Sequence, residues 1–346
     1  MKTNRFFLVM LAAAGIMTAC SNDEAVQTSN NGKEISFRMQ GSAPALKTTA
    51  TTNENIDAFV VFGTDNEFDP TLIFEGVTVS RDIIATTNPL TPVFTYAPKK
   101  YYDAAATDAV FFAYSPASAK VIAPASFLPS FVSGTTTFEY VVPKPDNSGK
   151  VTQEDLLVAV TPTSSLTTPV VLGFKHALSR IFVTATNTMG DPVIIERLIL
   201  KNLVKSGELV IDPASPAPCW TWNPSGVLDD YEYELAESGV AVPAAAIIGT
   251  PSPKKLVTSN EQGMMVLPQI TVNDNDDTTF DAGDFALEVR YKVGNLVGQQ
   301  KFILIEDQYP FEFNKQYRIN IEFSERVIDF TISVADFDAH VEVDYP

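Results

Sequence analysis

Apolar and polar residues alternate along several stretches of this chain, and this two-residue period constrains the fold more than any other feature. A period of two places successive side chains on opposite faces of a β-strand, whereas an α-helix repeats about every 3.6 residues. In the clearest stretch, one face has Phe285, Leu287, Val289, Tyr291 and Val293, and the other has Glu288, Arg290 and Lys292. Similar alternation runs through Glu34–Met39, Tyr317–Phe323 and Ile328–Val334. These patterns predict half-buried strands, with 23 prolines and 17 glycines available for the turns.

Many short strands separated by proline and glycine favour β-sandwiches over a parallel α/β sheet. A chain of 346 residues can hold two such domains in addition to export and linker segments. We therefore predict an all-β protein with one domain at 34–165 and another at 166–346. The boundary falls in Thr161–Pro169, a Thr/Ser/Pro-rich stretch typical of a linker. A long loop inside a single domain is an equal alternative.

The N-terminus has the features of a bacterial export signal. A basic start, an apolar stretch and small residues before Cys20 follow one another. The segment Met17–Cys20 resembles a lipobox, which predicts a signal peptide over 1–19 and an acylated Cys20 as the mature N-terminus. The alternative is an ordinary secretory peptide with an accidental cysteine. Residues 20–33 are mostly small and polar, as expected for a flexible tether.

The acidic segment Ser21–Glu24 follows the lipobox directly. It resembles the surface-export signal of lipoproteins from the Bacteroides group, and a plain solvated tether is the alternative. The whole chain has a formal net charge of −18. Nucleic-acid binding needs basic patches that neutralise phosphates, so no nucleic-acid partner is expected. Cys219 would be the only cysteine left beside the acylated one, so stability is expected from core burial rather than from a disulfide.

No set of residues singles out a catalytic, cofactor or metal site. Of the two histidines, His176 and His340, neither has metalloprotease spacing, and His176 is expected to make local structural hydrogen bonds. Cys219 has no histidine near it in sequence, which favours a buried, inert thiol. The acidic stretch 273–284 offers oxygen ligands for Ca²⁺ but lacks the glycine and the closing glutamate of a calcium loop. A solvated hairpin connection is therefore favoured there, with Ca²⁺ binding as the alternative.

Four aromatic residues lie close together in the sequence: Trp220, Trp222, Tyr231 and Tyr233. Each pair occupies alternate positions, which is typical of a strand that faces a sandwich core. A platform on which sugars stack is the alternative interpretation.

Five segments together resemble the fimbrillin family, the type V pilus subunits of Bacteroidales. The most characteristic segment is FKHALSRI, and all five occur along the chain in the same order as in the family. The last two depart from the family pattern, with Asn314 where glycine is usual and Phe337 where tryptophan is usual. The segments are Asp155–Ala159 (DLLVA), Phe174–Ile181 (FKHALSRI), Met264–Gln269 (MMVLPQ), Phe313–Asn320 (FNKQYRIN) and Ile332–Phe337 (ISVADF).

The resemblance implies two transthyretin-like β-sandwich domains in tandem and assembly by strand exchange after lipoprotein export. In that mode a protease cuts after a basic residue, the first strand leaves, and the emptied groove accepts a strand from a neighbouring subunit. In this chain the candidate first strand, here called the plug strand, has Ile35, Phe37 and Met39 on one face. The candidate cleavage sites are Arg38, inside that strand, and Lys47, in an accessible polar stretch. An ordinary solvated charge is the alternative for both.

The candidate donor strand is the C-terminal stretch, where the alternation continues to the last residues. A strand added to an exposed sheet edge satisfies backbone groups that would otherwise lack partners. An edge strand paired within its own domain is an equally weighted alternative. The candidate donor residues are Ile328, Phe330, Ile332, Val334, Val341, Val343 and Tyr345.

Together these observations predict a non-catalytic structural subunit of a cell-surface pilus (fimbria) that supports adhesion. Its expected partners are other pilus subunits and, through the lipid on Cys20, the cell outer membrane. Two alternatives are a monomeric surface lipoprotein that binds glycans through Trp220 and Trp222, and a pilus anchor that keeps its lipid. A hydrolase is disfavoured because no spacing among the acidic residues singles out a reactive pair.

Overall fold

The computed structural model describes residues 32–40, 56–65, 71–82, 93–123, 135–143, 153–163, 166, 168–233, 235, 238–258, 263–270, 284–294, 296–304, 310–325 and 328–337. The chain divides into two compact units, Met1–Asn31 and Gly32–Pro346, and all of these residues belong to the second. Every regular element among them is a β-strand, as the alternation predicted. No helix among these described residues is long and apolar enough to cross a membrane.

The strands of the N-terminal part range from two residues in β9 to twelve in β3. They are β1 (Phe37–Met39), β2 (Ala58–Asp65), β3 (Thr71–Asp82), β4 (Val93–Thr95), β5 (Ala109–Ser115), β6 (Thr136–Val141), β7 (Leu157–Thr163), β8 (Val170–Leu172) and β9 (Lys175–His176).

The strands that follow are longer on average. They are β10 (Ser179–Asn187), β11 (Val193–Val204), β12 (Ser206–Ile211), β13 (Trp220–Pro224), β14 (Leu228–Tyr233), β15 (Val240–Val242), β16 (Lys255–Leu256), β17 (Met264–Val266), β18 (Ala286–Val293), β19 (Leu296–Leu304), β20 (Lys315–Phe323) and β21 (Ile328–Asp336).

One sheet, with strand order β4-β3-β2-β5-β7-β9, is apolar on both faces. In β2, Phe59 and Val61 lie in one hydrophobic core while Val60 and Phe62 lie in another. The first core, here called the plug core, also contains Phe37. Because successive side chains of a strand point to opposite faces, this sheet separates the two cores.

The second core is shared by two sheets of the C-terminal part, as in a β-sandwich. One sheet has the order β16-β10-β20-β21, with β17 also paired to β10, and the other has the order β14-β11-β18-β19, with β15 also paired to β11. In the first sheet β10 and β20 run parallel, whereas β20 and β21 are antiparallel. Within the described residues β21 therefore lies at the edge of its sheet.

Three pairings join strands on either side of the predicted boundary at residue 165. Strand β1 pairs with β8, β7 pairs with β9, and β6 pairs with β12 in the order β13-β12-β6. The all-β, sandwich-type class is confirmed, and the division into two domains at 34–165 and 166–346 stays a prediction.

Candidate strand-exchange site

The plug strand β1 is short but deeply packed. Ile35 and Phe37 are buried, Phe37 with only 5% of its surface exposed, and Met39 packs against the plug core. The Phe37 ring meets four other rings at centroid distances of 5.4–5.9 Å, mostly edge to face, which is a favoured arrangement for aromatic pairs. These rings belong to Phe59, Phe74, Tyr96 and Phe111. The predicted apolar face of β1 therefore lies inside the core.

Backbone hydrogen bonds hold the plug strand on both sides. On one side β1 runs parallel to β8: the N–H of Val170 donates to the carbonyl of Ser36 at 2.7 Å, and the N–H of Gln40 donates to the carbonyl of Leu172 at 2.9 Å. On the other side the N–H of Ile35 donates to the carbonyl of Lys100 at 3.0 Å. The Tyr96 hydroxyl donates to the carbonyl of Ile35 at 2.6 Å. Removing residues 35–40 would take these partners away from the N–H of Val170 and from the carbonyls of Leu172 and Lys100.

Of the candidate processing residues, Arg38 lies within the described part of the chain. The Arg38 side chain is exposed, although its backbone lies within β1 and pairs with Val171. A protease would therefore need local opening of the strand to cut there. Lys47 and Cys20 lie outside the described residues.

The candidate donor strand is partly described. Residues Ile328–Asp336 form β21, which pairs along its full length with β20, from Phe323 opposite Ile328 to Lys315 opposite Asp336. Ile328 and Ile332 pack against the core, whereas Phe330 and Val334 are 37% and 46% exposed. The other candidate donors, Val341, Val343 and Tyr345, lie outside the described residues. The edge-strand alternative thus fits the position of β21, and its use as a donor stays a prediction.

A single aromatic side chain anchors the end of β21. Phe337 is fully buried, and its ring stacks on His176 with centroids 3.7 Å apart and planes 14° apart. The guanidinium carbon of Arg180 lies 4.0 Å from the centroid of the same ring, close enough for a cation–π interaction. Arg180 also donates from Nη2 to the carbonyl of Phe337 at 2.6 Å and to Oε1 of Gln316 at 2.9 Å. We call this arrangement the Phe337 clamp.

The Phe337 clamp and its neighbours bring together four of the five segments that carry the family resemblance, and Gln316 supplies the contact from FNKQYRIN. His176 and Arg180 belong to FKHALSRI, and Phe337 ends ISVADF. The Nδ1 of His176 lies 2.9 Å from a carboxylate oxygen of Asp155, the first residue of DLLVA, and both side chains are buried. The sequence predicted local hydrogen bonds for His176, and its partner Asp155 instead lies 21 residues away, on the segment before β7. No local pattern indicated that the His176 ring would contact the C-terminal strand, because the two segments are far apart along the chain.

The residues considered for other chemistry lie mainly in the interior. Trp220, Tyr231 and Tyr233 are buried, and Trp222 is half-buried and donates from Nε1 to the carbonyl of Ala177 at 2.6 Å. Burial raises the pKa of the Cys219 thiol, with a smaller contribution from Asp212, which disfavours the reactive thiolate. These positions match the core interpretation of the aromatic residues and the inert thiol.

The acidic stretch 273–284 lies outside the described residues except for Asp284, which is buried. Among the described residues no group of three His, Cys, Asp or Glu side chains could hold a metal ion.

One buried carboxylate was not predicted from the sequence. Asp65, at the end of β2, is 1% exposed, and its Oδ2 accepts a hydrogen bond from the N–H of Asp103 at 2.9 Å. Its Oδ1 is buried without a hydrogen-bond partner. Burial, followed by the charges of Asp103 and Asp108, raises the pKa of Asp65 above its ordinary value of 3.8, partly offset by backbone hydrogen bonds. The ionised carboxylate therefore destabilises the folded state above its folded pKa.

We expect Asp65→Asn to increase the free energy of unfolding at neutral pH, because asparagine keeps the acceptor for Asp103 without a buried charge. The gain should shrink as the pH falls through the raised pKa of Asp65 and disappear below 3.8, where both states of the wild type are protonated. Urea denaturation of both proteins across this pH range measures the difference. A variant less stable than the wild type at neutral pH would contradict this account.

The comparisons with known proteins agree with this architecture. A fimbrial protein from Bacteroides vulgatus is 12% identical over 88% of this chain and 99% of its own, with a TM-score of 0.57. A candidate cell adhesion protein from Bacteroides uniformis is 13% identical over 88% of this chain and 98% of its own, with a TM-score of 0.50. At 12–13% identity, the similarity to these two structures supports the fold alone. No curated protein matches the sequence. The family described as fimbrillin-like, however, matches residues 45–336, so this chain belongs to the fimbrillin-like family.

Proposed function

We propose that this protein is a structural subunit of a cell-surface pilus that assembles by strand exchange and supports adhesion. Membership of the fimbrillin-like family supports the pilus role. The observation that carries the strand-exchange step is the position of β1, a strand of three residues whose Phe37 fills a pocket of four aromatic rings. Because β1 is only three residues long, few hydrogen bonds must break for it to leave. Because Phe37 is packed among four rings, its departure exposes apolar surface that another strand can cover.

Removal of the plug strand leaves a groove with a strong preference for another strand. The groove exposes apolar surface at Phe59, Phe74 and Phe111, and about 25 cal/mol is lost for each Å² of apolar surface returned to water. The backbone groups of β8 on one side and of Lys100 on the other also lose their partners. An incoming strand restores both kinds of interaction, which is β-augmentation. Because the lending and the accepting surfaces of a subunit differ, the contact does not close on itself and a filament grows.

Export as a lipoprotein would bring the subunit to the assembly site. The lipid on Cys20 anchors the precursor in the cell outer membrane. Cleavage after Lys47 releases the mature subunit from both the lipid and the plug strand, and cleavage after Arg38 leaves only Met39 of the plug on the mature chain. In the anchor alternative the chain keeps its acylated Cys20 and its plug. Mass spectrometry of the mature N-terminus distinguishes these two roles.

The glycan-binding alternative has less support than the pilus role. It requires Trp220 and Trp222 to be exposed in one cleft, whereas Trp220 is 5% exposed and Trp222 donates a hydrogen bond to a backbone carbonyl. We assign no catalytic activity to the protein, in keeping with a structural family.

Limited trypsin digestion of the folded protein, followed by size-exclusion chromatography, tests the strand-exchange function. We expect a ladder of stable oligomers to appear as the bond after Lys47 or Arg38 is cut, because each emptied groove then accepts a strand from another copy. The double variant Lys47→Ala/Arg38→Ala is the matched control and should remain monomeric under the same digestion. A wild-type protein that is cut completely at these sites and stays monomeric would overturn the proposed function.

A further inference from the structure

The loop that follows β15 exposes two adjacent isoleucines, Ile247 and Ile248. They are 70% and 66% exposed, and no charged residue occurs from Ser238 to Pro253. Single exposed apolar side chains are ordinary, whereas contiguous exposed apolar surface on a folded protein marks interaction sites. We call residues 243–250 the isoleucine loop.

Backbone hydrogen bonds fix the isoleucine loop against the end of β10. The N–H of Ala245 donates to the carbonyl of Met189 at 2.8 Å, and the N–H of Gly249 donates to that of Thr188 at 2.9 Å. Just beyond the loop, the N–H of Ser252 donates to the carbonyl of Asn187 at 2.8 Å. The backbone that presents the isoleucines is therefore already ordered, and little conformational freedom is lost when they bind a partner.

A second exposed apolar surface lies around the turn between β11 and β12. Leu228 pairs with Val204, the last residue of β11. Val141 pairs with Ser206, the first residue of β12. The side-chain amide of Gln269 bonds to the backbone N–H and carbonyl of Val204, which places the next residue at the same turn. We call the four apolar side chains gathered there the turn patch; they are 47–84% exposed and comprise Val141, Val227, Leu228 and Ile270.

The isoleucine loop and the turn patch lie at opposite ends of β11. Strand β15, which leads into the loop, pairs Val242 with Val193, the first residue of β11, whereas the patch surrounds Val204, the last. At about 3.3 Å per residue, β11 is about 36 Å long. One molecule therefore cannot place its loop on its own patch, whereas two copies arranged head to tail can.

The charges beside the two surfaces are opposite in sign. Lys254 and Lys255 follow the isoleucine loop, are exposed, and form no ion pair with the part of the chain that the structure describes. Beside the turn patch, Glu139 and Glu208 lie directly opposite each other on β6 and β12. Like charges at opposite positions of a strand pair are unfavourable, so a lysine from another molecule would be attracted to them.

The spacing lets the charges meet when the apolar residues do. Lys255 pairs with Ala185, two residues along β10 from the Asn187 that holds the loop. Glu139 lies two residues along β6 from Val141. Two residues of a strand span about 7 Å, so both sets of charges are set back from their apolar neighbours by a similar distance.

We propose that the isoleucine loop of one subunit packs on the turn patch of the next, as a second contact between copies of this chain. Lys254 or Lys255 then faces Glu139 and Glu208. Because the loop and the patch are different surfaces, this contact does not close on itself and repeats along a filament. The inference rests on the proposed function, and it adds a contact that exchanges no strand.

The two isoleucines by themselves support only weak association between free subunits, because so small a contact hardly offsets the cost of association. Subunits already joined by an exchanged strand hold the loop and the patch at an effective concentration on the order of millimolar, at which a weak contact forms. We therefore expect the contact to fix the orientation of joined subunits rather than to start assembly.

Disulfide cross-linking of the full-length protein tests the contact. In a Cys20→Ser background, where Cys219 is buried, one cysteine is added by Ile248→Cys, by Val227→Cys, or by Thr78→Cys at an exposed position of β3. Two variants are mixed, cleaved with trypsin, oxidised mildly and separated on a denaturing gel without reductant. Ile248→Cys mixed with Val227→Cys should give at least about tenfold more linked dimer than Ile248→Cys mixed with Thr78→Cys.

Equal yields from the two mixtures would overturn the contact. Dimers of Ile248→Cys alone at the yield of the loop–patch mixture would show that two loops meet, which would overturn the head-to-tail arrangement.

A charge exchange tests the second part of the contact. Lys254→Glu/Lys255→Glu in the loop variant should lower the yield of linked dimer up to about fivefold, because the lysines no longer face glutamates. Glu139→Lys/Glu208→Lys in the patch variant should restore it. A yield that is not restored would refute the pairing of these lysines with Glu139 and Glu208.

The results also separate this contact from the proposed function. An oligomer ladder without specific cross-links refutes the contact and leaves strand exchange intact. Specific cross-links in uncleaved protein at about millimolar concentration, with no ladder after cleavage, support the contact and refute strand exchange. The absence of both refutes both. Vesicles of anionic lipid that sediment the wild type but not Ile247→Ser/Ile248→Ser, without specific cross-links, would assign the loop to a membrane surface and overturn the inference.

Discussion

Replacing Phe37 with alanine is expected to lower the free energy of unfolding of the uncleaved protein by about 3–5 kcal/mol, as for other buried aromatic residues. The substitution empties the pocket formed by Phe59, Phe74, Tyr96 and Phe111. Each aromatic pair that is lost contributes about 0.5–1.5 kcal/mol beyond the area it buries. Urea denaturation followed by intrinsic fluorescence measures the change.

The same substitution should also promote assembly. A plug strand that has lost its main apolar contact leaves the groove more often, so Phe37→Ala is expected to form oligomers without proteolysis, visible by size-exclusion chromatography. Arg38→Ala is the matched control, because this side chain is exposed on the same strand and its removal should change stability by less than about 0.5 kcal/mol. Equal effects of the two substitutions would mean that the Phe37 pocket does not hold the plug.

The strands and their buried faces were predictable because alternation is a local property of the sequence. The patterns at Glu34–Met39 and Tyr317–Phe323 correctly placed Phe37, Tyr317, Ile319 and Ile321 in the interior. The strand with which a given strand pairs, in contrast, is not determined by the residues around it. Nothing in the residues around Phe37 indicated that β1 would pair with β8, whose residues lie more than a hundred positions later in the chain.

The alternation predicted the wrong exposure for one charged residue, Glu288, which is buried and forms ion pairs. Glu288 was placed with Arg290 and Lys292 on a polar face, but it is 2% exposed. Its carboxylate lies 2.5 Å from Nε of Arg290 and 3.9 Å from Nζ of Lys201 on the neighbouring strand β11. Buried carboxylates are tolerated when such partners are present, and only the sheet brings Lys201 to this place.

The Phe337 clamp could not be deduced from the sequence for the same reason. The motif that contains His176 and Arg180 was visible, as was the one that ends in Phe337, but their contact depends on the parallel pairing of β10 with β20 and on the position of β21 beyond it. The family resemblance drew attention to these residues. The fold shows what they do: His176 and Arg180 of FKHALSRI pack against Phe337, the last residue of ISVADF.

Replacing Phe337 with alanine is expected to release β21 from its own sheet. The inner face of β21 is only partly covered, and Phe337 is the fully buried side chain next to it. The substitution removes its stacking on His176 and its cation–π contact with Arg180, so the free energy of opening β21 should fall by up to about 3–5 kcal/mol. Hydrogen exchange measures this opening: amides of β21 that bond to β20 should exchange about 100-fold faster or more, since 1.4 kcal/mol corresponds to a factor of ten.

Two control variants separate the clamp from general packing. Phe337→Leu keeps the apolar volume but not the flat ring, so it should lie between the wild type and Phe337→Ala. Phe330→Ala removes a ring of the same size from an exposed position on the same strand and should leave the exchange of β21 nearly unchanged. If strand exchange lends β21 to a neighbour, Phe337→Ala should also speed oligomer growth after trypsin cleavage, because opening the clamp precedes transfer. Unchanged protection of β21 in Phe337→Ala would show that β20, not the clamp, holds this strand in place.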